Sequence, residues 1–368
     1  MDHQQKLYIC FIDFTKAFDR IEHSMMVKIF EEFEIPKPEQ RLITHLYWEQ
    51  RAGVKVNQET SREFDIKKGV RQGCILSPIL FNMYSEALMK EGLQDGKGVT
   101  IDGVNVTNIR YADDTAIISN KERDLQEMMN KLNTACKKFG MALNTKKTKV
   151  LVIERVPGTK CEVKVGREVL EQVKEYLYLG SWINEGGRAR MDIKRRAGMA
   201  KNTFWKYKEL MQRNINWKTK KRLLNTYVMS VFTYGAETWT INKENERNIE
   251  ALEMWCIRKM LKISWKDKVN NKEVLRRAGM KRELLENIKK RKMELYGHVM
   301  RGSSGQLFKT VVGGKMEGRR GSGRPRRGWT DDVCEWSGKR KEELESAVGN
   351  RRVWRKLVGN LRHHEDAT

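Results

Sequence analysis

The sequence lacks a long apolar run and clustered cysteines, and each of these two absences excludes a class of protein. No segment approaches the roughly 18 apolar residues that a membrane span needs, and no signal peptide opens the chain. The six cysteines lie at least 25 residues apart, which excludes CxxC-type zinc sites and a disulfide framework. We therefore expect an intracellular protein, nuclear or cytoplasmic, with neither a membrane partner nor structural zinc.

Positive charge is what the sequence has in excess. The chain holds 73 Lys+Arg against 48 Asp+Glu, a net charge of +25. Residues 1–155 hold 24 against 22, whereas residues 156–368 hold 49 against 26. This asymmetry predicts chemistry in the first part and the binding of a polyanion in the second. The alternative is a solvated basic surface without a ligand.

Apolar periodicity predicts a mixed α and β architecture in the first part. The run Leu7–Ile12 is almost wholly apolar, which is typical of a strand buried on both faces, and it ends at Asp13. Ser77 and Pro78 have the form of a helix N-cap and first helical position. Helices are predicted over residues 18–33 (closed by Pro36 and Pro38), 79–89 and 124–139, and a strand over 150–153. After residue 180 the pattern is helical, with one apolar face over residues 223–234.

Two adjacent acids, Asp113 and Asp114, stand at the tip of a predicted hairpin within residues 104–119. They converge with Asp13 if the strands that carry them are neighbours. Three carboxylates at close range cannot all ionise without a cation, and Mg²⁺ binds few carboxylates and completes its shell with water and phosphate. Two such ions about 4 Å apart promote phosphoryl transfer. An Asp-Asp pair alone is often only a turn.

Five segments occur together in a specific order: FIDFTKAFD (11–19), RQGCILSPILF (71–81), YADD (111–114), GMALNTKKT (140–148) and YLYLG (176–180). In this order the chain resembles a reverse transcriptase of a non-LTR (LINE-type) retrotransposon over residues 7–184. The resemblance implies an α+β right-hand polymerase palm over residues 1–184, an antiparallel sheet with packed helices. A helical thumb is expected over 185–300, and a basic, Gly/Arg-rich and partly flexible tail over 301–368.

The resemblance also implies an activity and its requirements. The expected enzyme is an RNA-directed DNA polymerase that uses an RNA template, a DNA primer and dNTPs. Its cofactor is Mg²⁺, as two ions, with Mn²⁺ as a substitute.

The family's functional residues carry over to matching positions of this chain. Asp13, Asp113 and Asp114 match the metal-binding acids, whereas Asp19 is interpreted as structural. Lys147 matches a lysine that helps pyrophosphate leave, although Lys146 and Lys149 are adjacent alternatives. The nucleotide-binding positions are Phe14, Phe18, Gln72 and Gly73, and the primer-gripping positions are Tyr178, Leu179 and Gly180.

Phe18 matches the ring beneath the sugar that excludes a 2′-hydroxyl. The alternative to this functional role is that Phe18 is an ordinary phenylalanine of the hydrophobic core. Gln72 and Gly73 match a loop along the nascent base pair, where glycine permits close backbone approach.

Departures from the family pattern leave alternatives open. In the family a fingers region, and often an endonuclease, precedes the palm, and only twelve residues precede Asp13 here. We therefore expect neither region in this chain, and impaired extension. The main alternative is a non-catalytic nucleic-acid-binding remnant, while Phe18 disfavours an RNA-templated RNA polymerase. ELYGHVMR (294–301) and GRPRRGW (323–329) resemble the tails of some animal elements, but the zinc knuckle of many relatives is missing.

Overall fold

Residues 5–176 form a five-stranded sheet with helices packed on one face, and residues 177–363 form helices around cores of their own. This computed structural model describes residues 5–302, 305–314, 316 and 326–363. The Gly/Arg-rich segment that was expected to be flexible covers residues 313–329, and most of it (residues 317–325) lies outside the described residues. Among the helices described, none combines the length and apolar character needed to cross a bilayer.

The first unit alternates strands and helices. Its elements are β1 (Leu7–Ile12), a 3₁₀ turn (Ala17–Arg20), α1 (His23–Glu32), α2 (Lys37–Trp48), β2 (Arg51–Ala52), β3 (Lys55–Val56), β4 (Glu59–Thr60), β5 (Phe64–Asp65), α3 (Ser77–Leu93), β6 (Val99–Ile101), β7 (Val104–Val106), β8 (Asn108–Tyr111), β9 (Asp114–Ser119), α4 (Glu122–Lys138), β10 (Lys149–Ile153), β11 (Lys164–Val165), β12 (Glu168–Val169) and β13 (Glu171–Gln172). The predicted α+β class is confirmed.

Strand β1 is the centre of the main sheet, whose order is β13-β10-β1-β9-β8. It pairs antiparallel with both β10 and β9. The expectation of an antiparallel sheet fails only at the edge, where β13 pairs parallel with β10. Cys10 and Ile12 contribute to the core shared with α1, α3 and α4, while Ile9 and Phe11 on the opposite face are also buried. The prediction of a strand buried on both faces is therefore confirmed.

The helix predicted over residues 18–33 was wrong at its start. Lys16 adopts a left-handed φ of 50°, a 3₁₀ turn follows, and the helix proper begins only at His23. Two backbone carbonyls between Lys16 and His23 accept hydrogen bonds from a distant loop: Val70 N–H donates to Phe18 O (2.9 Å), and Gly69 N–H donates to Ile21 O (2.8 Å). This non-local pairing uses carbonyls that a continuous helix would bond internally.

The start of α3 also differs from the prediction by one residue. Ser77 is the first helical residue and Pro78 the second, and the Ser77 hydroxyl does not cap the helix. Instead it donates to Arg71 O (2.5 Å) and lies 3.0 Å from the Tyr47 hydroxyl. The Ser77 side chain therefore links the loop before α3 to helix α2. Proline remains tolerated because the first-turn N–H groups have no intrahelical acceptor.

A hairpin of β14 (Glu175–Tyr178) and β15 (Ser181–Asn184) lies where the chain passes from the first unit to the second. The second unit is helical. Its elements are α5 (Arg190–Lys206), α6 (Lys208–Gln212), α7 (Trp217–Leu223), a π-helical turn (Leu224–Met229), α8 (Ser230–Phe232), 3₁₀ turns (Ala236–Thr238, Trp265–Asp267 and Asn360–His363), α9 (Lys243–Met260), α10 (Asn271–Ala278), α11 (Leu284–Met300), α12 (Gln306–Gly313), α13 (Trp329–Ser337), α14 (Lys341–Gly349) and α15 (Arg351–Gly359).

The single apolar face predicted over residues 223–234 was wrong in part. Leu224 and Val228 are buried, but Tyr227 and Tyr234 are 42% and 55% exposed. Tyr227 lies within the π-helical turn, whose wider i→i+5 bonding departs from the regular 3.6-residue period. Tyr234 lies beyond the last residue of α8, Phe232, so a helical period no longer assigns its face.

The described part of the predicted tail packs on α11 rather than standing apart. Lys292 of α11 is fully buried and donates to Asp332 of α13 (2.5 Å) and to Trp239 O (2.7 Å). Asp332 also accepts from Arg327 (2.6 Å) and from Ile241 N–H (2.7 Å). Burial lowers the Lys292 pKa to about 8, against the opposing effect of Asp332. A buried pair with every oxygen bonded in this way fixes α13 against α11.

Close contact between α11 and α15 requires a glycine. An ideal Cβ at Gly297 would lie 2.2 Å from Nε1 and 2.7 Å from Cδ1 of Trp354, a side chain that is only 3% exposed. The indole has no flexible end that can move aside. His298, the neighbouring residue in this motif, is exposed.

We expect Gly297→Ala to destabilise the second unit by about 1–3 kcal/mol, the usual cost of overpacking. Gly349→Ala is the matched control, because an added Cβ there meets nothing within 4 Å. Guanidinium unfolding followed by tryptophan fluorescence measures the difference, since nine of the ten tryptophans lie in residues 177–368. Equal midpoints for both variants would contradict the close packing.

Candidate active site

Sheet register brings two of the three predicted metal-binding acids together. Ile12 of β1 is opposite Thr115 of β9. Asp13 follows Ile12, and Asp114 precedes Thr115, so the two acids lie at the same end of adjacent strands. Asp113 is in the two-residue turn that joins β8 to β9.

Electrostatic effects show that the three acids are close. The pKa of Asp114 is raised, first by partial desolvation of this largely exposed carboxylate, then by the charges of Asp113 and Asp13. The pKa of Tyr176 is raised as well, by burial and then by Asp114 and Asp13. The Tyr176 ring stacks on Phe11, with centroids 4.0 Å apart. The acids and this phenol therefore form one electrostatically coupled group.

The chemistry of these donors fits a hard divalent cation. All three are carboxylates, and Asp113 and Asp114 are exposed, so that water and substrate oxygens have access to complete a coordination shell. Within the described residues, however, no group of three or more His, Cys, Asp or Glu side chains is already arranged to hold a metal ion. The chemical type of the three donors fits a divalent cation, but their side chains are not yet close enough together to form a complete set of metal ligands.

The turn before β10 positions Asp13 and brings a lysine to it. Asp13 N–H donates to the buried Thr148 hydroxyl (3.3 Å), and Asn144 N–H donates to Asp13 O (2.8 Å). Lys147 Nζ lies 4.0 Å from Asp13 Oδ2. Lys149, one of the alternatives, pairs instead with Glu171 at 2.6 Å.

The predicted nucleotide-binding residues fall into two groups. The Phe14 ring is buried in the core, whereas Phe18 is partly buried and stacks on Phe81 with centroids 4.6 Å apart. Gln72 and Gly73 form an exposed turn two residues beyond the backbone bond between Phe18 and Val70. Gly73 has a φ of 85°, which favours glycine. Phe18 and this loop are thus brought to the same region.

Of the predicted primer-gripping residues, Tyr178 ends β14, and Leu179 and Gly180 form the turn between β14 and β15. Leu179 and Gly180 have φ values of 48° and 80°. The Tyr234 hydroxyl donates to Leu179 O (3.2 Å), and the buried Arg196 guanidinium donates to Gly180 O and to Val231 O. A Cβ on Gly180 would lie 2.9 Å from the Tyr234 ring. The turn is therefore held rigidly by α5 and by the segment after α8.

Several residues that support these groups were not identified from the sequence. Thr148 and Tyr176 belong to the quoted motifs, but Thr148 reaches Asp13 through the pairing of β1 with β10, and Tyr176 is placed by its ring stack on Phe11. Asp192, a fully paired acid of α5, accepts from Trp182 N–H (3.1 Å) and from Trp239 Nε1 (2.7 Å), next to Arg196. No local sequence signal indicates these contacts.

Comparison with known families agrees with this geometry. Residues 1–183 match the family model described as reverse transcriptase (RNA-dependent DNA polymerase). This part of the chain belongs to the reverse transcriptase family. The match begins before β1 and ends within β15, and so includes every predicted metal-binding, nucleotide-binding and primer-gripping residue.

Curated relatives are proteins of mobile elements, as the motifs predicted. A putative uncharacterized transposon-derived protein of Caenorhabditis elegans is 29% identical over 63% of this chain and 86% of its own length. The Pol polyprotein of the type-2 retrotransposable element R2DM of Drosophila melanogaster is 28% identical over 51% of this chain and 18% of its own length. The RNA-directed DNA polymerase from mobile element jockey of Drosophila funebris is 23% identical over 70% of this chain and 28% of its own length. The recognition of a non-LTR reverse transcriptase is confirmed, and the chain spans under a third of these two polymerases.

Solved structures of telomerase from Candida tropicalis are also similar. One apo structure has a TM-score of 0.38 and 14% identity, over 84% of this chain and 54% of the other. Another apo structure, truncated from the C-terminal domain, has a TM-score of 0.35 and 20% identity, over 49% of this chain and 34% of the other.

Removing one of the clustered acids is expected to stabilise the metal-free protein. The pKa of Asp114 is raised by desolvation and then by the charge of Asp113, so at pH 7 Asp113→Asn relieves repulsion and raises the melting temperature in EDTA. The gain fades as the pH falls and the acids become protonated. Added Mg²⁺ should then raise the melting temperature of the unmodified protein more than that of the variant.

Asp95→Asn is the control for this experiment, since Asp95 is an exposed turn residue of the same unit with a φ of 60°, which asparagine tolerates. Differential scanning fluorimetry measures both effects. An identical Mg²⁺ response in Asp113→Asn and the unmodified protein would contradict the assignment.

Proposed function

We propose that this chain is an RNA-directed DNA polymerase of a non-LTR retrotransposon, adding dNTPs to a primer 3′-hydroxyl on an RNA template. The observation that carries the proposal is the register of β1 and β9, which sets Asp13 beside Asp114 with Asp113 in the adjoining turn. A polymerase of this kind acts inside the cell, in the nucleus or the cytoplasm.

Asp13, Asp113 and Asp114 are the residues that would hold Mg²⁺, or Mn²⁺ in its place. Two bound ions would activate the primer hydroxyl and stabilise the charge on the departing pyrophosphate. Lys147, the lysine nearest to Asp13, is suited to neutralise phosphate charge at the same edge of the sheet. Thr148 is suited to hold Asp13 in place through the backbone bond described above, and Tyr176 packs beside the acids on Phe11.

The remaining predicted residues have positioning roles in this proposal. The Phe18 ring, fixed by its stack on Phe81, would lie beneath the sugar, while Gln72 and Gly73 follow the nascent base pair. Tyr178, Leu179 and Gly180 would hold the primer end on a turn that Arg196 and Tyr234 make rigid. Rigid positioning of the primer hydroxyl matters because phosphoryl transfer depends on in-line alignment.

A non-catalytic nucleic-acid-binding protein is the second candidate, and one observation favours it. The described acids are not already arranged to hold a metal ion. Primer extension on an RNA template separates the two candidates, because the second binds template-primer without extending it.

We expect Asp113→Asn to reduce primer extension by about 10²–10³-fold, the scale of losing one essential electrostatic contact in an active site. Asp95→Asn should extend like the unmodified protein. Initial rates with saturating dNTPs and Mg²⁺ measure the effect, and melting curves confirm folding. Extension by Asp113→Asn at a near-normal rate would refute the proposed role of the acids.

Replacing Phe18 is expected to change sugar discrimination rather than metal binding. Phe18→Ala removes the ring that would exclude a 2′-hydroxyl, so the ratio of kcat/KM for dNTPs to that for rNTPs should fall by tenfold or more, about 1.4 kcal/mol. Phe18→Tyr keeps the ring and should keep the discrimination. An active Phe18→Ala variant with an unchanged ratio would assign the ring to core packing alone.

A further inference from the structure

Two helices of the second unit present tryptophan and lysine together. Helix α5 carries Lys201 and Trp205, and α9 carries Trp255 and Lys259, each pair four residues apart and therefore on one helix face. The pairs cross: Lys201 Nζ is 5.4 Å from the Trp255 ring centroid, and Lys259 Nζ is 5.6 Å from that of Trp205. Lys208 adds a third ammonium group 5.4 Å from the Trp205 ring. We call these five residues the indole–lysine surface.

The rings of this surface are fixed before any ligand arrives. Trp205 and Trp255 meet edge to face, with centroids 5.7 Å apart and planes at 83°. Both also meet the ring of Phe204, which is fully buried. Even so, Trp205 remains 44% exposed. A rigid, exposed indole binds a planar partner at low cost in conformational entropy.

The charge around these rings is not neutralised by the protein. In the described part of the chain, Lys201, Lys208 and Lys259 form no ion pair with any carboxylate, whereas many lysines elsewhere do. Residues 190–222, which include most of this surface, hold 12 Lys+Arg against 2 Asp+Glu. Some of these cations are paired, such as Arg190 with Glu244 and Lys221 with Glu283. The excess of positive charge beside the unpaired lysines of the surface nevertheless favours an anionic partner.

We propose that the indole–lysine surface binds single-stranded nucleic acid, with an unpaired base stacked on Trp205 and its flanking phosphates contacted by the lysines. Nucleic acid is the partner that combines planar aromatic groups with regularly spaced negative charge, and base–aromatic stacking with basic side chains is the usual mode for single strands. A duplex is disfavoured because its bases are stacked inside and cannot reach the indole.

This surface deepens the proposed function, since a polymerase that copies RNA must hold unpaired template, but it does not depend on catalysis. The simpler alternative is that the lysines only cover the indoles and stabilise the fold. That alternative predicts changes in stability without a selective change in affinity for single strands.

The experiment measures the fluorescence anisotropy of a labelled, unstructured 12-nucleotide RNA, and of a duplex of the same length, with the full chain in EDTA at several salt concentrations. Trp205→Leu should weaken single-strand binding by about tenfold, within the range known for one stacked base, and leave duplex binding within about twofold. Trp205→Phe keeps an aromatic face and should retain most of the affinity. Lys208→Gln should reduce the salt dependence of binding.

Trp265→Leu is the matched control. Trp265 belongs to the same unit, is 83% exposed and has lysines at positions 262, 266 and 268 near it in sequence, but it makes no ring or cation contact with another described residue. It should bind like the unmodified protein. Equal losses in Trp265→Leu and Trp205→Leu, equal losses on duplex and single strand, or no loss at all would each overturn the proposal. If Trp205→Leu fails to fold, Lys208→Gln decides in its place, and an unchanged salt slope in that variant would overturn the proposal.

The two proposals fail separately. Asp113→Asn should bind the single strand like the unmodified protein while losing extension. If the unmodified protein does not extend primers but Trp205→Leu still loses single-strand affinity selectively, the polymerase proposal fails and the surface proposal stands. If extension is normal and the selectivity is absent, the surface proposal fails alone.

Discussion

The pairing of β1 on both of its edges is the constraint on which the candidate active site depends. On one edge, the register with β9 sets Asp13 beside Asp114; on the other, pairing with β10 places the preceding turn, with Thr148 and Lys147, against Asp13. A slip of one residue would reverse the faces of every side chain in β1 and place each one among packing partners that it does not fit. Burial on both faces makes that slip costly, so hydrophobic packing far from the acids fixes their geometry.

Much of this fold was predictable because its signals are local. The strand β1, the helix α4 and the acids at the hairpin tip follow from apolar runs and turn chemistry that a short window of sequence contains. The start of α1 and the face exposed after Leu224 did not follow, because each is decided elsewhere. Carbonyls of residues 18–21 bond a loop some 50 residues away, and a π-helical turn shifts the later register. Such contacts leave no periodic trace in the sequence.

The candidate site divides in the same way. The acids were predicted from residue type and order, since metal-dependent phosphoryl transfer needs carboxylates, and the role of Phe18 was predicted from the family resemblance. The partners of these groups were not predicted. Thr148 is an ordinary polar residue until the pairing of β1 with β10 brings it to Asp13, and Tyr176 is an ordinary aromatic residue until its ring stacks on Phe11. Arg196, which holds the Leu179–Gly180 turn, is likewise one basic residue among many in its segment.

The second unit shows how a strongly basic sequence uses its cations for two different purposes. Lys292 is buried and satisfied by Asp332 and a carbonyl, so its charge contributes to docking α13 on α11 and is hidden from any ligand. Lys201, Lys208 and Lys259 lie over indoles and have no carboxylate partner among the described residues. Composition cannot distinguish these two uses, because both count as one positive charge. Burial and pairing do distinguish them, and among the described residues they identify the unpaired lysines around a rigid exposed ring as one part of the positive excess that is available to a polyanion.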